Sequence, residues 1–203
     1  MEKDFISLPL VAPDECGDTD CEGSSVYDEV VSECGKATGL GDSAFVGFRE
    51  DFSSEDEAFM RHALALARKA EALDEVPVGA VAVKDGVIIG EGYNTRETGK
   101  CALDHAEMHA ISEACKALGG WRLPGVTLYV TMEPCCMCAG AVVNARIPRV
   151  VYGTPDLRFG AFGSLFDLSA MAVNHRPTVV GGLLLEECRG MLQGYFKRKR
   201  EKK

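Results

Sequence analysis

The stretch VTLYVTMEPCCMCAGAVVNARIPRVVYG, residues 126–153, reads as a strand, a helix and a strand in direct succession. The β-branched and aromatic run VTLYVTM is strand-forming. Pro134 closes it, and CCMCAGAVVNAR at 135–146 continues with helical residues before RVVYG at 149–153 returns to strand character. Three of the four residues at 135–138 are cysteine. Cysteines bind metals, form disulfides or simply pack, so the remainder of the chain has to decide among these.

SSEDEAFMRHALALARKAEAL at 53–73 reads as a helix. Ser53 or Ser54 caps it, acidic residues fill the first turn where the helix dipole favours them, and Phe59, Ala63, Leu66, Ala70 and Leu73 recur at helical spacing. VPVGAVAVKDGVIIGEGYN at 76–94 reads as a hairpin turning at Lys84-Asp85-Gly86. HAEMHAISEACKAL at 105–118 reads as a helix stopped by Gly119-Gly120. TVVGGLL at 178–184 reads as a further strand, and residues 186–203 as a last helix with a basic end. Strands alternating with helices indicate an α/β layered domain.

Charge divides the 203 residues unevenly. Residues 1–54 hold 13 Asp and Glu against 3 Lys and Arg, whereas residues 55–203 hold 18 against 19. The net charge of −9 therefore belongs to an acidic N-terminal extension, 1–54, which is expected to be disordered. Residues 55–203 form the folded domain, whose last seven residues, KRKREKK, include six cations and suit a polyanion. Cys16, Cys21 and Cys34 of the extension match no closed four-ligand pattern. No run approaches a membrane span, and the N-terminus has neither a basic n-region nor a small-residue cleavage site, so a cytoplasmic protein is expected. Nine cysteines cannot all pair within one chain, and in a reducing compartment such clusters bind metals or catalyse.

HAE at 105–107 and PCCMC at 134–138 each fall at a helix start. Cys135 and Cys138, three apart on a first turn, share a face, while Cys136 points away and is expected to be packed. The positive helix end favours thiolates, which bind zinc. With His105 they make three protein ligands, the number that leaves a catalytic zinc one position for water. Zinc lowers the pKa of water that it binds from about 15.7 towards 7. Glu107, two residues beyond the histidine, is placed to shuttle the proton. A closed structural site completed by Cys101 is the competing reading, but it leaves Glu107 without a task. His62, His109 and His175 read as polar or packed residues, and Asn94 at a strand end reads equally well as a turn former.

H-x-E followed by P-C-x-x-C is the established pattern of zinc nucleobase deaminases. EVPVGAVAV, IGEGYN, HAEMHAI, LYVTMEPCCMCAGAVVNARIPRVVYG, GAFGSLFDL and NHR together resemble the bacterial tRNA-specific adenosine deaminase family, from about Glu57 to Lys199. The resemblance implies a three-layer α/β/α cytidine-deaminase-like sandwich around a central mixed sheet, one zinc ion per chain and a homodimer. It implies conversion of the wobble adenosine of a tRNA anticodon stem-loop to inosine. It places Asn94 at the flipped base, Ala106 and Pro134 among the substrate-binding residues, and Asp156, Arg158, Phe159, Asn174 and Phe196, with Tyr195 beside the last, at the RNA. Phe159 and Phe162 read as stacking residues or as core and interface residues. CALD at 101–104 departs from the family's usual Asp-Pro-Thr-Ala, which bears on loop shape and substrate fit. The acidic arm has no family counterpart and is expected to compete with RNA for the basic surface. The alternatives are a free-base, nucleoside or nucleotide deaminase with the same metal chemistry, and a catalytically idle RNA-binding subunit.

Overall fold

The computed structural model describes residues 52–202, so the expectations for residues 1–51, including Cys16, Cys21 and Cys34, lie outside the described residues. The element order is α1 (Ser54–Ala72), β1 (Gly79–Lys84), β2 (Val87–Tyr93), α2 (Arg96–Gly99), α3 (Ala106–Leu118), β3 (Val126–Met132), α4 (Cys136–Ala145), β4 (Arg149–Thr154), β5 (Thr178–Gly181) and α5 (Leu185–Glu201). The strands form one sheet in the order β2-β1-β3-β4-β5. β1 runs antiparallel to β2 and β3, whereas β3, β4 and β5 run parallel, so the sheet is mixed as expected. The short α2 and a 3₁₀ turn at Leu168–Ala170 carry no periodicity long enough to read from sequence.

Both faces of the sheet are covered, which is why its central strands are apolar at successive positions. Ala80, Ala82, Leu128, Val130, Val150 and Tyr152 pack with Ala106, Ala110, Ala114, Ala139 and Val142 of α3 and α4. Val81, Val83, Tyr129 and Val151 face the other way, against Met60, Ala63, Leu64 and Leu66 of α1 and Cys188 of α5. Each fully buried Leu or Met contributes roughly 1.5–3 kcal/mol. The hairpin turns through Asp85 and Gly86, both at positive φ (50° and 75°), the backbone that a two-residue Asp-Gly loop supplies.

The approach of α3 to β2 is set by glycine. A Cβ on Gly92 would lie 2.0 Å from the Ala106 carbonyl oxygen, and one on Gly90 would lie 2.2 Å from that of Ala110. Small residues on both sides let helix and strand backbones touch. That contact presses the first turn of α3 against the end of β2, where Asn94 follows.

α1 is fixed at its start by a reciprocal cap. The Asp56 amide donates to Ser53 Oγ at 3.0 Å, and the Ser53 amide donates to Asp56 Oδ2 at 3.1 Å. Asp56 Oδ1 also accepts from the Tyr129 hydroxyl at 2.7 Å and from Arg149 Nη1 at 2.8 Å, which ties the helix to β3 and β4. Among the described residues, no helix is long and apolar enough to cross a membrane.

Candidate active site

His105 is the N-cap of α3 and Cys135 the N-cap of α4. Both have extended backbones, and neither side chain caps its own helix. Released from capping, the two side chains turn towards each other. Cys135 Sγ lies 3.7 Å from His105 Nδ1, and Cys138 Sγ lies 3.6 Å from the same nitrogen. The three donor atoms are all within 4.8 Å of one another. Tetrahedral zinc with its usual Zn–S and Zn–N lengths separates sulfur from nitrogen by about 3.6 Å, so this donor set fits the ion in kind and in spacing.

The cluster is polarised. A hydrogen bond from Cys138, together with His105, outweighs burial and holds the Cys135 thiol down at about 4. The same bond, with burial, pushes Cys138 up. His105 is raised, chiefly through its contact with Cys135. Glu107, in the first turn of α3, is only 4% exposed, and burial pushes its carboxyl up to about 7.

Cys101 is not part of the metal-capable group found among the described residues, so the closed site completed by Cys101 finds no support. Cys136 is exposed rather than packed, which corrects the expectation from sequence. Its direction away from the ligand pair holds, but the start of α4 has solvent rather than core on that side. The other histidines are engaged elsewhere: His62 with Glu91 at 2.8 Å, His109 Nε2 with Thr95 Oγ1 at 3.0 Å, and His175 Nε2 with the Ile147 carbonyl at 2.7 Å.

Asn94 is brought beside the cluster by the Thr95 amide, which donates to the Asp104 carbonyl at 3.0 Å, one residue before His105. Ala106 has no accessible surface and lies in the core. Pro134 is buried, and its carbonyl accepts from the Ala161 amide at 3.0 Å. This bond and a bridge between Cys135 and Gly160 lay the 156–164 loop along the start of α4. Within that loop Phe162 is core, whereas Phe159 is 59% exposed with the Arg158 guanidinium 5.7 Å from its ring centre. Asp156 is buried and turns inward, its Oδ1 accepting from the amides of Arg158 and Phe159. Asn174 accepts from Arg146, the C-cap of α4, at the opposite end of that helix from Cys135. Phe196 lies edge-on to Tyr195 on α5.

Two buried carboxylates escape the sequence reading. Glu133 accepts from the amides of Asp156 (3.0 Å), Phe162 (2.9 Å) and Ser164 (3.1 Å) and from the Ser164 hydroxyl, so it organises the whole loop. Its signal was present: a single carboxylate between an apolar strand and a proline. Glu75, fully buried, accepts from Asn94 and Thr98, and nothing in its local sequence marks it.

The family profile of MafB19-like deaminases matches residues 54–200. The chain is 52% identical over 151 residues to the tRNA-specific adenosine deaminase of Bacillus subtilis, covering 74% of this chain and 94% of that protein. It is 47% identical to the Haemophilus influenzae protein of the same name, covering 74% and 88%. A solved structure from work on A-to-I editing by tRNA:A34 deaminases at the wobble position superposes with a TM-score of 0.64 at 45% identity, covering 66% of this chain and 99% of that one. A guanine deaminase from Nitrosomonas europaea superposes with a TM-score of 0.58 at 26% identity, covering 76% and 90%. With the mixed five-stranded sheet and the paired helix starts already in place, this likeness across nearly the whole of each relative means that the chain belongs to the tRNA-specific adenosine deaminase family.

Proposed function

We propose that this chain hydrolyses adenosine to inosine at the wobble position of tRNA anticodon loops. His105, Cys135 and Cys138 hold one zinc ion per chain. When bound, zinc supplies the Lewis acidity that gives a water nucleophile at neutral pH. Glu107 takes the proton from that water and delivers it to the amino nitrogen at C6, which leaves as ammonia while oxygen takes its place. Burial lifts this carboxyl above the usual carboxylate range, which suits a group that both accepts and returns a proton.

Asn94 contacts the flipped base through its side-chain amide, while the buried Ala106 and Pro134 wall the base site from behind. The exposed Phe159, backed by Arg158, offers a stacking face to an unpaired nucleotide. Asp156 shapes that turn from inside. Asn174, Phe196 and the basic end of α5 contact the RNA further out. The enzyme acts as a homodimer in the cytoplasm, the former checked by light scattering on the purified protein.

The observation that carries this reading is the meeting of His105, Cys135 and Cys138 beside a buried Glu107. The test is incubation of zinc-quantified protein with an anticodon stem-loop bearing a wobble adenosine, with inosine read by mass spectrometry and free adenosine, cytidine and guanine in parallel. Inosine in the RNA alone is expected. Turnover of a free base or nucleoside without RNA inosine moves the chain to a small-molecule deaminase, the second reading, which the likeness to a guanine deaminase keeps in view.

A further inference from the structure

Glu75 has no accessible surface, yet the chemistry assigned above does not use it. Burying a carboxylate is costly unless hydrogen bonds compensate it. Here the compensation comes from two elements that border the candidate site. Oε2 accepts from Asn94 Nδ2 at 3.2 Å, and Oε1 accepts from the Thr98 amide of α2 at 2.6 Å. Asn94 Nδ2 also faces the Val76 carbonyl oxygen at 3.3 Å.

These contacts decide a question that composition leaves open. An asparagine amide has a donor end and an acceptor end of nearly the same shape, and its hydrogen-bond partners determine which way it points. Both partners on one side of Asn94, a carboxylate oxygen and a carbonyl oxygen, only accept. That side must be the NH2. The oxygen, Oδ1, is therefore the end left for a ligand.

We infer that Glu75 is a positioning residue for substrate recognition: it locks the Asn94 amide so that the site presents an acceptor, Oδ1, to a hydrogen-bond donor of the bound nucleotide. The Thr98 amide holds the other carboxylate oxygen, which fixes the direction in which Glu75 faces Asn94. The inference rests on the proposed role of Asn94 in holding the base. Glu75 touches no reacting atom and acts on the substrate only through Asn94.

The test is a double-mutant cycle on the zinc-loaded full chain with the anticodon stem-loop substrate. Glu75→Gln keeps the shape but brings an NH2 into a place where two acceptors are already met by donors. It forces either the Thr98 amide or Asn94 to give way. With Asn94 present, Glu75→Gln is expected to lower kcat/KM by about tenfold or more, the loss of a hydrogen bond to a charged group. In the Asn94→Ala background the same change is expected to cost less than about twofold, because the group being positioned is gone. Zinc content is expected to stay at one per chain in all four proteins. Equal losses in both backgrounds, or no loss in either, overturn the inference, since a purely structural carboxylate acts regardless of residue 94. If Glu75→Gln does not yield folded protein, Glu75→Asp replaces it under the same criteria, keeping the charge but withdrawing it by one methylene. A parent enzyme that forms no inosine in the RNA overturns the functional reading and this inference with it. An active parent with independent losses overturns the role of Glu75 alone.

Discussion

Cys135 and His105 are each the N-cap of a helix, and their side chains meet at 3.7 Å instead of capping. Two helix starts that would ordinarily use a hydroxyl or carboxylate carry an imidazole and a thiol that could hold a metal ion instead. Each start faces the other across the end of the sheet, where β2 and β3 deliver the chain.

Replacing either sulfur tests that arrangement. Cys135→Ser and Cys138→Ser are expected to reduce bound zinc from one per chain to well below half, and activity with it. Cys136→Ser, on the exposed position, is expected to leave both intact. Metal analysis by plasma emission, beside inosine assays before and after chelation, reads all three. Loss of zinc from the Cys136 variant would contradict the assignment.

Glu107 separates binding from turnover. Glu107→Ala is expected to lower kcat by about 10²–10⁴-fold, the usual contribution of a positioned acid–base group. Zinc content and affinity for the stem-loop are expected to be unchanged, because the carboxylate is not needed to hold either. Single-turnover assays with gel-shift titrations measure the two quantities independently. Full activity in this variant would remove the proton-shuttle role.

Glu133 carries the 156–164 loop. Glu133→Ala leaves three main-chain donors without their acceptor, each worth about 1–3 kcal/mol when buried. The expected result is a large fall in the thermal midpoint and rapid proteolysis near Arg158. Glu133→Gln retains an acceptor oxygen and is expected to fall between the two. A thermal midpoint equal to the parent's in the alanine variant would refute this.

Asp56 gives the fold a dependence on pH. Burial raises its carboxyl, but the hydrogen bonds from Arg149, Tyr129 and Ser53 outweigh that and hold it well below the usual carboxylate range. A depressed folded-state pKa means that the stabilisation is fully present above the unfolded value, about 3.9, and is lost as pH falls below it towards the folded value. Asp56→Asn is expected to destabilise the protein at pH 7 and to flatten the acid side of its stability curve. Asp56→Ala, which also removes the cap, is expected to cost roughly 2–4 kcal/mol. Urea unfolding at several pH values distinguishes these outcomes.

Sequence alone determined the alternation of strands and helices, the two motif-bearing helix starts and the three side chains that could hold a metal ion. These are local properties: apolar period, cap position and the three-residue spacing of Cys135 and Cys138 are all read within a few residues of the chain. The four long helices were legible to within a residue or two, as at 135–146 against Cys136–Ala145. Tertiary structure alone decided which polar groups are buried and whom they serve. Asp156 accepts from the amides of its own turn, and Cys136 went to solvent. Glu75 and Glu133 became internal acceptors for groups 19 and up to 31 residues away. A carboxylate in sequence carries no sign of its surroundings, since burial depends on which distant backbone amides the fold brings within hydrogen-bonding distance of it.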